Sequence, residues 1–173
     1  IIEDVKNFRS EIGVLFLNSY NRDVLTKMFD DNRLTYTSLF KARPHIFVSK
    51  SNPLAKHEVV SLEDLEDFPY LSYDQGIHNS FYYSEEILSQ IPHKKSIVVS
   101  DRATLFNLLI GLDGYTIATG ILNSNLNGDN IVSIPLDIDD EIDIVYLKHE
   151  KATLSKMGEK FLDNLVKEVT FDN

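Results

Sequence analysis

The sequence contains no cysteine. That absence excludes a disulfide framework, a thiolate zinc site and a cysteine nucleophile, and it fits a reducing compartment, so a cytoplasmic setting is expected. Positive charge is also scarce: 17 Lys and Arg stand against 27 Asp and Glu, for a net charge of −10. A surface of that sign repels the phosphate backbone, because nucleic-acid affinity comes largely from Lys and Arg displacing counterions. No apolar run approaches the ~20 residues that a membrane span needs. The opening Ile1-Ile2-Glu3-Asp4 has neither the basic start nor the apolar run of an export signal. Because it does not begin with Met, the chain reads as a fragment, and any DNA-binding part is expected outside it.

Chemical motifs are missing too. There is no Gly-x-Ser-x-Gly elbow, no Gly-x-Gly-x-x-Gly loop and no Walker loop. The five histidines (His45, His57, His78, His93 and His149) are scattered, with no i, i+4 pair, so no metal site is expected. The acidic run Asp137, Asp139, Asp140, Glu141, Asp143 lacks the glycine and the spaced terminal Glu of a calcium loop, and reads as a solvated turn. With no catalytic pair singled out, the chain reads as a binding protein without a cofactor rather than an enzyme.

What the sequence does hold is alternation of strands and helices. Ile1, Val5 and Phe8 have helical spacing. Ile12 to Leu17 is a continuous apolar run, as expected of a strand buried on both faces. Val24, Leu25, Met28 and Phe29 share a helical face. Strands are expected at Leu34–Phe40, His45–Val48, Tyr70–Tyr73, Ser96–Val99, Tyr115–Ala118, Ile131–Leu136 and around Ile142, Ile144 and Tyr146. Ser61 and Asp64 have the spacing of a capping box. Helices are expected at Ser80–Ile91, from an N-cap at Ser100 through Leu112 with Gly114 in a left-handed exit, and from Thr153 or Ser155 onward. Such alternation argues for mixed, mostly parallel sheets covered by helices.

Several of these segments, in order, resemble the effector-binding domain of LysR-type transcriptional regulators. Glu11-Ile12-Gly13-Val14 resembles the family's acidic-aliphatic-Gly-aliphatic strand, and Leu39-Phe40 to Val48 the strand that leaves the first lobe. Asn52-Pro53-Leu54-Ala55 followed by Ser61-Leu62-Glu63-Asp64-Leu65 resembles a family segment in which His usually stands at the Asn52 position. Thr104 to Ala118 resembles its helix–Gly–strand segment, and Leu154 to Leu165 its closing helix. Only Gly114 of the family's paired glycines is clearly placed, Gly120 stands near a usual Pro, and the family's first strand and helix are absent.

The resemblance implies an α/β, two-lobe, periplasmic-binding-protein-like (type 2) fold with two crossover hinge strands, near Arg43–Phe47 and Thr116–Gly120. Residues 1–43 plus 121–173 would form the first lobe and 44–120 the second. A small polar metabolite, with amino-acid and sulfur compounds among the candidates, would bind between the lobes, and DNA would be reached only through a winged helix-turn-helix outside this chain, in a homodimer or homotetramer. The expected ligand-binding residues are Asn18, Ser19, Tyr73, Asp74, Gln75, His78, Asn79, Ser80, Thr119 and Gly120. They follow strand ends, where backbone N–H groups, hydroxyls and amides meet anions. Phe16 and Leu17 fit core packing better than a pocket lining. A free-standing solute-binding protein of the same fold, or an enzyme on a related one, are the alternatives.

Overall fold

The computed structural model describes residues 1–74, 86–89, 91–122 and 128–171. The expected helix at Ser80–Ile91 falls largely outside them. The described chain divides into two units, Ile1–Ala42 with Glu141–Asn173, and the contiguous Arg43–Asp140.

The first unit is built on a three-stranded sheet in the order β1 (Gly13–Leu17), β8 (Ile142–His149), β2 (Leu34–Ala42). Both pairings are antiparallel, with Leu17 opposite Asp143 and Leu34 opposite His149. Helix α1 (Ile2–Lys6) crosses β1 so closely that a Cβ on Gly13 would meet the Ile1 side chain at 2.5 Å. Helix α2 (Arg22–Asp31) contributes Leu25 and Phe29 to a core completed by Val5, Leu17, Leu34, Val145 and Leu147. The closing helix α4 (Lys156–Phe171) is capped twice. The Ser155 hydroxyl accepts the Gly158 N–H at 3.1 Å and donates to the Glu11 carboxylate at 2.9 Å, and Glu11 also accepts the Ser155 N–H. A carboxylate at a helix start is favoured by the helix dipole.

In strand β8, Ile142, Asp143, Val145, Leu147 and His149 are buried, while Ile144 and Tyr146 are only partly covered. β8 is the central strand, so its core face is set by pairing with β1 and β2. Strand β1, expected to be covered on both faces, is an edge strand whose middle residues Val14, Leu15 and Phe16 are half-buried.

The second unit holds a five-stranded sheet in the order β5 (Ser96–Val99), β4 (Tyr70–Tyr73), β6 (Tyr115–Ala118), β3 (His45–Ser49), β7 (Ile131–Pro135). β4 runs parallel to β5 and β6, whereas β3 runs antiparallel to β6 and β7. Helix α3 (Arg102–Gly111) covers it, packing Leu105 and Leu109 on Phe47, Leu71, Val99 and Ile131. Sheets are therefore mixed, as expected, but antiparallel pairings prevail over parallel ones among the described strands.

Three local expectations are corrected. Pairing of β7 with β3 places residues 128–140 in the second unit, so the chain returns to the first at Glu141 rather than near Thr116–Gly120. The α3 N-cap is Asp101, which accepts the Thr104 N–H at 2.9 Å, not Ser100. The left-handed residue after α3 is Asp113, at φ 51°, while Gly114 is small for a different reason: a Cβ there would press on Leu71 at 2.9 Å. The capping box at Ser61 forms, with the Asp64 carboxylate accepting the Ser61 N–H at 2.9 Å, and it opens a short 3-10 turn, Glu63–Leu65.

Asn52 is the polar keystone of this unit. It is buried, accepts the Leu54 N–H at 2.9 Å and donates from Nδ2 to the Asp113 carbonyl at 2.7 Å. One amide thus caps the 3-10 turn Pro53–Lys56 and anchors the chain leaving α3. Asn52→Ala strands the buried Leu54 N–H and unties the Asp113 carbonyl, and should lower unfolding free energy by about 2 kcal/mol. Urea unfolding of the two proteins checks this, with an unchanged m-value expected.

Candidate functional site

In the second unit the strand directions gather loops at one edge. Parallel pairing sets Tyr73 beside Val99, and Tyr70 beside Tyr115. Antiparallel β3 brings His45 opposite Ala118. The ends of β4, β5 and β6 and the beginning of β3 therefore lie on the same side of the sheet. Of the expected site residues, Tyr73, Asp74, Thr119 and Gly120 are found there, together with the first turn of α3. Sites in open α/β sheets form outside the carboxyl ends of parallel strands for this topological reason.

Each member of this edge is held differently. The Asp74 N–H donates to the Val99 carbonyl at 2.8 Å, continuing the β4–β5 ladder, and its side chain is exposed. The Tyr73 N–H donates to the Glu86 carboxylate. Burial keeps the Tyr73 phenol above its ordinary range, so at neutral pH it remains a hydroxyl able to donate and accept. Burial likewise raises Glu86. Asp101 already occupies the α3 N-terminus: it accepts the Thr104 N–H and, at 2.7 Å, the Thr104 hydroxyl, and both bonds hold its carboxyl below the ordinary range. Arg102 lies over the Phe106 ring, 4.8 Å from its centroid.

Gly120 has φ 83°, and a Cβ there would sit 2.6 Å from the His45 ring. That ring is fixed by Nδ1 against the Arg43 carbonyl at 2.8 Å. The glycine is thus required by the fold itself, both for its positive φ and for the imidazole lying against it. Gln75, His78, Asn79 and Ser80 lie outside the described residues.

In the first unit, Asn18 and Ser19 follow β1. Asn18 is buried, and its side chain accepts the N–H groups of Tyr20 (3.1 Å) and Asn21 (3.0 Å). Asn21 replies by accepting the Asn18 N–H at 2.9 Å and donating to the Phe16 carbonyl at 3.2 Å. This reciprocal pair shapes the turn into α2 and leaves Ser19 exposed at its tip. Leu17 is fully buried in the core and Phe16 is half-buried.

Two residues beside this turn escaped the sequence reading. Asp143, expected in a solvated acidic turn, is buried. It takes a hydrogen bond from the Ser38 hydroxyl and an ion pair from Arg22 at 3.2 Å. Lys41 pairs with Glu141 at 2.6 Å next to them, which raises the Lys41 pKa. The available signal was an acid inside an otherwise apolar strand, Ile142-Asp143-Ile144-Val145, where burial demands a partner. Among the described residues, no three His, Asp or Glu side chains come together as metal ligands would.

Comparison with known proteins follows from this geometry. A family profile described as the LysR substrate binding domain matches residues 1–170. Among solved structures the chain is similar to HinK, a LysR family transcriptional regulator from Pseudomonas aeruginosa, with 14% identity, a TM-score of 0.65, and coverage of 97% of this chain and 56% of HinK. It is similar to the effector binding domain of QuiR in complex with shikimate, with 17% identity, a TM-score of 0.61, and coverage of 98% and 77% respectively. It is also similar to the BenM effector binding domain with its effector benzoate, with 20% identity, a TM-score of 0.62, and coverage of 98% and 73%. The chain thus spans little more than half the length of HinK. No curated protein matches it by sequence.

Four substitutions, in two pairs, test the local energetics. Arg22→Ala leaves the Asp143 carboxylate buried with its charge unmatched, and should cost about 3 kcal/mol. Asp143→Asn added to it should recover most of that loss, while Asp143→Asn alone should cost less, because Arg22 is 39% exposed and can be hydrated. Gly120→Ala should cost about 1–3 kcal/mol through strain at positive φ, with part regained in His45→Ala. Denaturant unfolding of each variant reads these differences.

Proposed function

The chain belongs to the LysR substrate binding domain family, and from that premise we propose that it senses a small polar metabolite on behalf of a transcriptional regulator. The metabolite is held by the loops that follow β4 and β6 in the second unit. The observation that carries this reading is the convergence of Tyr73, Asp74 and Thr119 at one sheet edge of the second unit. They offer a neutral phenol, a carboxylate and a hydroxyl, a set suited to hydrogen-bonding a polar ligand and to holding an amino group. They include no paired nucleophile and base, which supports a binding role over turnover.

The ligand class is an amino-acid-related or sulfur-containing metabolite. QuiR and BenM are described with shikimate and benzoate, both small carboxylates, which supports a ligand of similar size and charge. Binding favours one arrangement of the protein only as far as affinity differs between arrangements. The regulator passes that bias to DNA through a winged helix-turn-helix outside this chain and through pairing of copies in a cytoplasmic homodimer or homotetramer. The exposed apolar side chains Val98 on β5, Ile110 on α3 and Leu112 just after it support such pairing.

A thermal-shift panel of the twenty amino acids, sulfate, thiosulfate, shikimate and benzoate tests the sensing role. A true effector at 100 times its Kd should add about 2.7 kcal/mol of stability. Asp74→Asn and Thr119→Val should reduce that shift while leaving the ligand-free melting temperature unchanged. A panel without any shift, or a shift untouched by both substitutions, overturns the assignment.

A further inference from the structure

A stack of rings in the second unit has no part in the ligand reading above. Tyr70 on β4 and Tyr115 on β6 stand side by side in register, with ring centroids 5.5 Å apart. The imidazole of His93 lies flat on Tyr70, centroid to centroid 3.8 Å, and meets Tyr115 edge-on at 6.1 Å. Its Nδ1 is hydrogen-bonded to the Tyr115 hydroxyl at 2.9 Å. Its Nε2 is sealed from solvent and has no hydrogen-bond partner among the described residues. The stack ties the segment before β5 to the two adjacent strands β4 and β6.

This geometry suits a neutral imidazole and opposes an imidazolium. A neutral ring needs one donor and one acceptor satisfied at most, whereas the charged ring carries two N–H donors. A proton on Nε2 would place a charge and an unpaired donor in a sealed, aromatic pocket. The charged groups bordering the stack do not compensate. Glu86 is engaged by the Tyr70 hydroxyl at 3.4 Å and by the Tyr73 N–H. Lys94 and Lys95, next in the chain, turn to Glu66 and to the Asp67 carbonyl.

We propose that His93 makes the second unit acid-sensitive, its protonation breaking the Tyr70–His93–Tyr115 stack and loosening β4 from its neighbours. The end of β4 is Tyr73, so the device acts on the same strand that leads into the ligand loop, but it responds to protons with no ligand present. Burial lowers the His93 pKa below the ordinary 6.5. The unfolded chain then takes up a proton that the folded chain refuses. Stability is therefore complete above pH 6.5 and falls as pH drops toward the folded-state pKa. Glu86 works in the opposite sense. Its raised pKa makes the folded state the better proton binder, so acidification favours folding there. Tyr70 and Tyr115, both raised by burial, the latter to about 12, are protonated throughout this range.

The test is the pH profile of urea unfolding of the whole chain between neutrality and mild acid, for the wild type, His93→Phe, Tyr115→Phe and, as a control at an exposed histidine, His57→Gln. Below pH 6.5 the wild type should lose folding constant relative to His93→Phe, by at most about tenfold per pH unit and levelling off once the folded chain also takes up the proton. His57→Gln should follow the wild type. Tyr115→Phe, which removes only the hydroxyl, should shift the onset of the loss. In the wild type, nitrogen-15 NMR should show His93 staying neutral to lower pH than in the unfolded chain, and its ring contacts to Tyr70 vanishing on protonation. Parallel profiles for wild type and His93→Phe overturn the proposal. So does a His93 imidazole that titrates at its ordinary pKa with its ring contacts intact, a readout that holds even if His93→Phe does not fold.

Discussion

The first unit depends on one insertion. β8 arrives from the far end of the sequence and lies between β1 and β2, supplying ladder partners to both. Its core face carries Val145 and Leu147 in the centre and the polar Asp143 and His149 at the two ends. Both ends need a polar answer, because a buried ionisable group without partners is expensive. Arg22 and Ser38 answer Asp143. His149 accepts the Lys151 N–H at 3.1 Å, and its ring lies 4.4 Å from Phe8, centroid to centroid. The strand is thereby pinned in register at each end, since a one-residue slip would carry Asp143 and His149 to the opposite face.

The elements of this fold were largely legible, and their partners were not. Local signals sufficed for Arg22–Asp31, Tyr70–Tyr73 and Ser96–Val99, where helical spacing or a short apolar run is decisive. The capping box at Ser61 and Asp64 was also readable, because both halves lie within four residues. What could not be read is anything settled by distant pairing. The Ile131–Pro135 strand looks the same whether it joins one sheet or the other, and only its ladder with His45–Ser49 assigns it. The burial of Asp143 beside Ile142 has the same origin, because the core face of β8 is set by the strands on either side of it. Asp143 was hidden in an acidic run for this reason.

At the sheet edge beyond β4 and β6 the governing rule is topological. Residues just after these strands lie on one side of the sheet because parallel strands end on the same side. Individual roles are harder, since a polar loop residue has structural uses that sequence cannot separate from binding. Asn18 shows this: its side-chain oxygen holds two backbone N–H groups of the turn. Gly120 shows it again, its lack of a side chain answering to the His45 ring. Asn52 is a converse case. It stands where the resembled family carries His, and a single amide with one acceptor and one donor pointing apart does the joining there.

The cap on α4 has a consequence for the order in which the chain is made. Glu11 reaches the Ser155 N–H and hydroxyl, and β1 and β2 both wait for β8. A ribosome that has released residues up to 140 has delivered every strand of the five-stranded sheet but only the two outer strands of the three-stranded one. The contiguous unit can therefore assemble during synthesis, as domains generally fold as units in the direction of translation. The split unit must hold β1 and β2 without their shared partner until Ile142–His149 emerges. Nascent-chain vulnerability thus concentrates in β1 and β2, whose exposed ladder groups remain open to mispairing for that interval.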